Sequence, residues 1–240
     1  MMSPSFQQQR AFYERLWNGW RRLYIDEKCR KRFVLAALAK IPKRPLQILD
    51  AGCGRGWLTE VLSHYGSVVG VDLFVQEARK RYPKLAFREA NIALRFPKGT
   101  YDVVVSSEVI EHFPVEHQAE HIKNIARALS QGGRLILTTP NKRQMESLTS
   151  RFSDTSYLQP LENWLDREEL MAILEPYFTI QYFGSARFYP VFLFSFILLR
   201  APYHVFYDYL GGYWLLDKLL AFTDWGTYFT LVAEKRTLTK

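Results

Sequence analysis

Short apolar runs alternate with amphipathic stretches through the middle of the chain, from Leu46 to about Phe183. The amphipathic stretches at 57–65, 75–82 and 115–130 have the spacing of helices. The apolar runs predict five strands, in the order "QILDA", "SVVGVD", "LAFREA", "YDVVVSS" and "GRLILTT". Parallel strands need a crossover connection, which is usually a helix. The alternation therefore predicts an α/β domain with a mostly parallel sheet and helices on both faces.

The part of the chain after Pro140 begins with a polar connector, at about 141–160, that shows no clear periodicity. Asp166 and Glu169 then form a capping-box pattern, which predicts the start of a helix, and "TIQYFG" predicts a strand. A long insert at about 185–226 precedes the last predicted strand, "YFTLVAEK". Positions 182–229 hold 17 of the 37 aromatic residues of the chain. This predicts either a helical cover with an aromatic core or an apolar face for a substrate, a membrane or a partner.

A glycine-rich turn, "DAGCGRG", connects the first predicted strand to the first predicted helix. Gly52, Gly54 and Gly56 let the backbone take positive φ angles and let its amides approach a ligand. The helix behind them begins with unpaired N–H groups, so the turn predicts a nucleotide-like ligand. Its spacing misses the dinucleotide fingerprint by one residue, and the Lys–Ser/Thr of a P-loop is absent. Asp50 would repel a phosphate and favours a cationic group such as an ammonium.

A second carboxylate, Asp72, ends the second predicted strand, 20 residues after Gly52. An acid in this position, beside a glycine turn, can accept hydrogen bonds from both hydroxyls of a ribose. Taken alone, Asp72 fits a helix N-cap as well. Together with the glycine turn we interpret it as part of a nucleoside site.

The glycine turn behind Asp50, the acid Asp72, "YDVVVSSEVIEHF" and "GGRLILTTPN" together resemble a class I S-adenosylmethionine-dependent methyltransferase. "EVIEHF" and "TTPN" are most similar to the small-molecule group that includes the ubiquinone-biosynthesis O-methyltransferases. The resemblance covers about residues 30 to 183 and the last strand. It implies a seven-stranded, Rossmann-like sheet in the order 3-2-1-4-5-7-6 with strand seven antiparallel. It also implies S-adenosylmethionine as the cofactor and S-adenosylhomocysteine as its product.

The resemblance further implies which residues hold the cofactor. Gly52 and Gly54 would approach its methionine part, and Asp50 would face its ammonium group directly or through water. Asp72 would hold the ribose, and Asn91 stands where the family often has an acid for the adenine amine. The whole set expected at the cofactor comprises Arg32, Asp50, Gly52, Gly54, Gly56, Asp72, Leu73, Asn91, Ile92 and Ser107. For Arg32, an exposed position in a basic run is the alternative.

His112 is the candidate catalytic base for an in-line SN2 transfer of the methyl group. A base is needed only if the acceptor must lose a proton, and an unperturbed imidazole titrates in the useful range. The alternative is that His112 pairs with Glu108, one helical turn away, and orders the loop. Neither Cys29 nor Cys53 has a partner at zinc spacing, so we expect no metal. Two cysteines are also too few for a disulfide framework.

The net charge of +8 resides in residues 1–45, which hold 11 Lys and Arg but three acids. We assign residues 1–45 to a basic, helical N-terminal cap and residues 46–240 to the methyltransferase domain. A stripe of aromatic side chains on the cap has helical spacing. It fits a helix packed on the domain, a lid over the cofactor, or a helix on anionic lipid. The stripe consists of Tyr13, Trp17, Trp20 and Tyr24.

Two classes of acceptor agree with these features. The first is a small apolar or aromatic molecule, which could be lipid-like and which fits the aromatic insert. The resemblance to O-methyltransferases implies that such a molecule is methylated on oxygen. An RNA- or protein-directed enzyme would use the basic N-terminus, but nucleic acid is not the expected partner because no nucleic-acid module is recognisable. A cofactor-binding scaffold without activity is disfavoured by the intact glycine turn and by Asp72. The chain starts without a signal-peptide pattern, and its longest apolar run, at 191–199, is about half of a membrane span. We therefore predict a cytoplasmic protein, with peripheral attachment to an anionic membrane as the alternative.

Overall fold

The computed structural model describes residues 11–13, 25–42, 45–97, 99–151, 159–188, 202–203 and 205–237. Seven strands in this part of the chain form one sheet: β1 (Leu46–Ala51), β2 (Gly66–Asp72), β3 (Ala86–Glu89), β4 (Tyr101–Ser107), β5 (Leu129–Pro140), β6 (Phe178–Phe188) and β7 (Gly226–Lys235). Their order is β3-β2-β1-β4-β5-β7-β6. Strands β1 to β5 pair in parallel, and β7 is antiparallel to both β5 and β6. The predicted fold and strand order are confirmed.

The helices of the described residues lie between and beside these strands. They are α1 (Ile25–Ala39), α2 (Trp57–Leu62), α3 (Gln76–Arg81), α4 (Val115–Ala128), α5 (Lys142–Arg151), α6 (Arg167–Leu174) and α7 (Gly212–Leu220). Single turns of 3-10 helix span Ser63–Tyr65 and Ile110–His112, and a π-helical segment spans Val205–Tyr209. None of the helices in the described ranges has the length and apolar content to cross a membrane.

The central strands are apolar on both faces, because helices cover the sheet on both sides. In β4, Val103 and Val105 point into a core shared with α1 and α2, whereas Val104 points into the core shared with α4 and α6. All three side chains are fully buried. Burying a side chain of this size stabilises a fold by about 1.5–3 kcal/mol. This two-sided packing fixes the ends of β1, β2 and β4, where the candidate site lies.

Helix α6 begins where the sequence predicts. The Asp166 side chain accepts a hydrogen bond from the Glu169 N–H at 2.8 Å, and the Glu169 carboxylate accepts one from the Asp166 N–H at 2.9 Å. The polar stretch at 141–160, which the sequence predicts to be a connector, is helical in its first half, because Lys142–Arg151 forms helix α5. Asn141, just before it, donates from its amide to the carbonyls of Asp224 (2.8 Å) and Gly226 (3.1 Å), and so holds the start of β7.

The insert before the last strand is shorter at both ends than its predicted range of about 185–226. Strand β6 continues to Phe188, and β7 begins at Gly226. Its described part contains the π-helical segment and α7, so a helical insert is present. In the N-terminal stripe, Tyr13 is described, whereas Trp17, Trp20 and Tyr24 lie outside the described residues. The boundary of the N-terminal cap at residue 45 stays a prediction.

Candidate functional site

The glycine turn leaves β1 and enters α2 with three left-handed residues. The φ angles of Gly52, Gly54 and Gly56 are 85°, 50° and 82°. A Cβ atom at Gly52 would also lie 2.2 Å from Cγ2 of Val109, in the loop after β4. The N–H of Gly52 donates to the Val71 carbonyl of β2 at 2.8 Å. The turn is therefore packed between the ends of β2 and β4, and only glycine fits at position 52.

Asp72 ends β2 beside this turn, and backbone amides hold its carboxylate in place. Oδ2 accepts the N–H of Gly54 at 2.9 Å, and Oδ1 accepts the N–H of Phe74 at 3.2 Å. Burial raises the pKa of Asp72 to about 6, although these hydrogen bonds oppose the rise. Each oxygen keeps a lone pair for a further donor. Asp72 is therefore oriented to accept hydrogen bonds from a ligand.

A cavity of about 260 Å³ opens at the carboxyl ends of β1, β2 and β4. This is the edge at which open α/β sheets bind ligands. Eight of the predicted site residues line it, namely Gly52, Gly54, Asp72, Leu73, Asn91, Ile92, Ser107 and His112. The structure thus brings together residues that come from four separate segments of the chain.

Three of the predicted cofactor residues do not line the cavity. The guanidinium of Arg32 lies 5.0 Å from the ring centroid of Tyr213, so its expected place at the cofactor carboxylate is not supported. Asp50 is buried beneath the turn and accepts a hydrogen bond from Thr59 Oγ1 at 2.6 Å. Gly56 faces the core, where an added Cβ would lie 2.9 Å from Phe87. Asp50 and Gly56 therefore shape the turn and do not contact the cavity.

Two lining residues have partners that differ from the expectation. The side-chain carbonyl of Asn91 accepts a hydrogen bond from the Ala93 N–H at 3.0 Å, so one of its lone pairs is used locally. Ser107 shares a hydrogen bond of 2.9 Å with Thr138 Oγ1. Both remain at the cavity wall. Their contact with a cofactor stays a prediction.

Helix α1 supplies one wall of the cavity, which the sequence reasoning missed. Glu27 and Arg30 line the cavity, and so does Arg55 of the glycine turn. Arg55 Nη2 donates to Glu27 Oε1 at 2.6 Å, and both side chains are buried. The helix and the turn are thereby joined by a buried ion pair.

Tyr13 and Gln159 form another part of the wall that the sequence did not indicate. The Tyr13 hydroxyl donates to the side-chain carbonyl of Gln159, and both residues line the cavity. The Tyr13 ring lies 5.8 Å from that of Phe74, measured between centroids. Burial raises the pKa of Tyr13 well above its ordinary value, so the phenol stays protonated. An aromatic side chain from the N-terminal part therefore covers the cofactor end of the cavity.

The loop after β4 presents Glu108 to the cavity in a strained conformation. Its φ angle is 58°, which is uncommon for a residue with a side chain. The Glu108 N–H donates to the Thr138 carbonyl at 2.9 Å, and Thr138 Oγ1 donates to the Glu108 carboxylate at 3.0 Å. Burial raises the pKa of Glu108 to about 7. Strain of this kind persists where surrounding contacts hold it, and it concentrates at functional sites.

His112 follows in the same loop as a neutral imidazole. Its Nδ1 lies 3.1 Å from the Leu161 carbonyl, so Nδ1 carries the proton and Nε2 does not. Burial lowers the pKa of His112 to about 4, against the opposing effect of this hydrogen bond. Glu111, behind it, is buried and accepts a hydrogen bond from Thr139 Oγ1 at 3.1 Å. His112 is therefore a neutral imidazole at neutral pH, and its unprotonated Nε2 lies 3.7 Å from Glu111 Oε1.

Comparison with known proteins identifies the family. Residues 20–185 match a family model described as a methyltransferase domain, which is well over half of the chain. This chain belongs to that methyltransferase family. A relative described as a probable S-adenosylmethionine-dependent methyltransferase agrees with the class that the motifs resemble.

The named relatives are partial matches. A probable S-adenosylmethionine-dependent methyltransferase of Mycolicibacterium smegmatis is 36% identical over 100 residues, which is 40% of this chain and 38% of the relative. The mitochondrial ubiquinone biosynthesis O-methyltransferase of Mus musculus is 33% identical over 161 residues, which is 56% of this chain and 42% of the relative. The chain thus spans well under half the length of these two relatives.

A solved structure agrees in fold over nearly the whole length of the match partners. The N-methyltransferase NodS of Bradyrhizobium japonicum, in complex with S-adenosylhomocysteine, has a TM-score of 0.64 and 13% sequence identity. The match covers 95% of this chain and 98% of NodS. At this identity the likeness concerns the fold.

The residues at the cavity fit an adenosyl sulfonium. The glycine backbone at positions 52 and 54 comes to the cavity edge, and Asp72 offers acceptors for ribose hydroxyls. The wall carries Glu27, Asp72 and Glu108 against the cations Arg30 and Arg55. Arg55 neutralises Glu27, which leaves Asp72 and Glu108 as the carboxyl groups that could face a positive sulfur or an ammonium group. The donor set is thus that of a nucleoside cation site.

Proposed function

We propose that this chain methylates a small apolar or aromatic acceptor, lipid-like in class, on an oxygen atom, with S-adenosylmethionine as the methyl donor. The observation that carries the proposal is the position of Asp72, whose carboxylate faces the same cavity as the glycine turn. When bound, the cofactor supplies a methyl group on a positively charged sulfur, which is an excellent leaving group. The main task of the protein is then to position the acceptor and to exclude water.

The cofactor end of the cavity would hold its ligand through three groups. Asp72 would accept hydrogen bonds from ribose hydroxyls, and the bare backbone of Gly52 and Gly54 would lie against the methionine part. Tyr13, tied to Gln159, would cover the ligand on the solvent side. The Glu27–Arg55 ion pair would keep the turn in this shape. Each role uses an atom that already lies at the cavity.

The acceptor end would lie beside the loop after β4. Phe113 and Val109 give this part of the cavity apolar surface, which supports an apolar or aromatic acceptor. His112 is the proposed base, because its Nε2 is unprotonated. Glu108 is the second candidate, since a pKa of about 7 matches the operating pH better than a pKa of about 4. An oxygen acceptor such as a phenol would need one of the two, because it must lose its proton.

The acceptor class is tested by the distribution of label from S-adenosylmethionine that carries an isotopic methyl group. The protein is incubated with a cell extract, which is then separated into organic-soluble metabolites, RNA and protein. We expect label in the organic-soluble fraction with the wild type, and loss of that label with Asp72→Ala. Asp102→Asn, at the opposite end of the sheet, is the matched control and should behave like the wild type, since Asp102 accepts the Gln47 N–H there. Label in RNA or protein instead would overturn the proposed acceptor.

A further inference from the structure

Large apolar side chains are exposed mainly on the insert between β6 and β7. Of the eleven that are exposed in the described part of the chain, nine lie between positions 205 and 225. Single exposed apolar residues are ordinary, but a contiguous group of them marks a site of interaction. The methyl transfer proposed above does not use this surface.

Helix α7 carries the clearest part of this surface. Trp214, Leu215, Leu219 and Phe222 are exposed by 52%, 44%, 65% and 77%. Trp214, Leu215 and Leu219, at positions i, i+1 and i+5, lie on one side of the helix, and Phe222 follows just after the helix ends. These four residues, which we call the α7 apolar face, are exposed together on the outside of the protein, with the exposed Lys218 among them.

The inner side of α7 is tied to the domain by a charged residue. The Asp217 carboxylate accepts a hydrogen bond from the Arg187 N–H at 2.9 Å and another from the Tyr207 hydroxyl at 3.2 Å. A surface helix of a globular protein normally shows the opposite arrangement, with its apolar side inward. The contacts of Asp217 orient the α7 apolar face outward. Its apolar surface is therefore exposed to solvent unless another apolar surface covers it.

Positive charge lies directly beside the α7 apolar face. The Lys218 ammonium is exposed on α7 and lies 5.4 Å from the ring centroid of Trp214. The Arg32 guanidinium of α1 lies 5.0 Å from the ring centroid of Tyr213, the residue before Trp214. Lys28, one turn earlier on α1, is also exposed and shares the side of Arg32.

The two acids of α1 do not cancel this charge. Asp26 pairs with Arg187, and Glu27 pairs with Arg55 in the interior. Each of the two carboxylates is thus neutralised by an arginine of the same chain. Lys28 and Lys218 are therefore left as a basic border next to the α7 apolar face, whereas the charge of Arg32 acts on the nearby Asp217 carboxylate and opposes the rise in its pKa that burial causes.

We propose that the α7 apolar face inserts into the surface of an anionic lipid bilayer, with the basic border at the level of the headgroups. Helix α7 has nine residues, too few to span a membrane, and so it lies in the plane of the interface. Tryptophan favours this boundary, and lysine beside apolar residues extends its charge to the headgroups. The proposal goes beyond the methyl transfer and does not depend on it.

Co-sedimentation with phosphatidylcholine vesicles, with and without phosphatidylglycerol, tests the proposal on the full chain. We expect the wild type to sediment with the anionic vesicles. Trp214→Gln with Leu219→Gln should weaken this partitioning by about tenfold or more. Lys28→Gln should weaken it by about fivefold, and only on the anionic vesicles. The controls are Leu94→Gln, an exposed apolar residue after β3 at the far edge of the sheet, and Lys84→Gln, an exposed lysine before β3.

Fluorescence quenching provides a second test that needs only the wild type and one conservative variant, so it does not depend on variants that fail to fold. Brominated phosphatidylcholine should quench tryptophan fluorescence of the wild type, and Trp214→Phe should lose a large part of that quenching. Equal sedimentation of the wild type and the Trp214/Leu219 variant would overturn the proposal, and so would a wild type that ignores both vesicles. A concentration-dependent dimer that the same variant abolishes, without vesicle binding, would overturn it in favour of a second copy of the chain. Calorimetry with S-adenosylhomocysteine on each variant keeps this result separate from the cofactor site.

Discussion

Arg55 of the glycine turn and Glu27 of helix α1 form an ion pair of 2.6 Å with both side chains buried. The pair joins an element that precedes the sheet to the turn that follows β1. Both residues also line the cavity. The shape of the cofactor end therefore depends on the docking of α1.

Removal of one partner should destabilise the fold strongly. With Glu27→Ala or Arg55→Ala, we expect the free energy of unfolding to fall by about 3–5 kcal/mol, because the remaining charge stays buried without this partner. The double variant Glu27→Leu with Arg55→Met should recover most of this loss. Urea denaturation measures all three. Lys123→Ala, which breaks an exposed pair with Glu120 at 3.0 Å, is the control and should cost less than about 1 kcal/mol. Equal effects of the buried and exposed variants would contradict the account.

Substitution of Gly52 by alanine should be far more damaging than the same change at Gly132. Both glycines have positive φ angles, 85° and 70°, so both changes carry the cost of a left-handed alanine, about 1–2 kcal/mol. A Cβ at Gly52 additionally meets Val109 at 2.2 Å, whereas nothing lies within 4 Å of one at Gly132. We expect Gly52→Ala to abolish cofactor binding in calorimetry, and Gly132→Ala to leave it unchanged. A Gly52→Ala protein that binds normally would show that the turn is not the cradle.

The protein without ligand should become more stable as the pH falls from 8 to about 6.5. Burial raises the pKa of Asp50 to about 7 and of Asp72 to about 6, so the folded state binds protons that the unfolded state releases. Stability from such groups is fully present below their unfolded pKa and is lost as the pH rises through the folded pKa. Burial lowers the pKa of His112 and His121 to about 4, and this contribution is lost as the pH falls from about 6.5 toward 4. Burial also raises the pKa of Glu108 and of Glu162 to about 7, so the raised carboxyl groups outnumber the two histidines, which reduce the gain below pH 6.5 and do not reverse it.

Asp50→Asn isolates one of these groups. The amide oxygen can still accept the Thr59 hydroxyl, while the buried charge is gone. We expect the variant to be more stable than the wild type at pH 8, by about 1–3 kcal/mol, and to show little gain at pH 4. Thermal unfolding across this range is the measurement. A gain that does not depend on pH would mean that ionisation of Asp50 is not its source.

The two candidate bases differ in their predicted pH profiles. If His112 takes the proton, His112→Ala should lower kcat by about 10² to 10⁴, and the wild-type rate should be flat from pH 6 to 8 because the pKa is about 4. If Glu108 does so, Glu108→Gln should cause the loss, and the rate should rise with pH through about 7. A loss below threefold for His112→Ala at saturating substrate would leave His112 with a structural role, through its bond to Leu161.

The parts of the site that local patterns determine could be predicted from sequence. The glycine turn, Asp72 at the end of β2 and the capping box at Asp166 each depend on a few neighbouring residues. The structure has each of these features at the position that the sequence predicts. Helix α5 was missed because its sequence, "KRQMESLTSR", offers few apolar positions for a periodicity to show.

Contacts between distant segments could not be predicted. Arg30 and Arg32 point to different sides of α1, since two residues on a helix are about 200° apart. Packing of Val34 and Leu38 against the sheet decides which arginine faces the cavity, and the sequence expectation chose Arg32 in place of Arg30. The Tyr13 contact to Gln159 spans 146 residues and has no local signal.

Calorimetry with S-adenosylhomocysteine tests the central claim most directly, which is that the cavity between the glycine turn and Asp72 binds an adenosyl cofactor. The wild type should bind, and Asp72→Ala should bind about 100-fold more weakly, because two hydrogen bonds to a carboxylate are lost. Asp102→Asn should match the wild type. A wild type that shows no heat of binding at millimolar ligand, or an Asp72→Ala protein with unchanged affinity, would contradict the account.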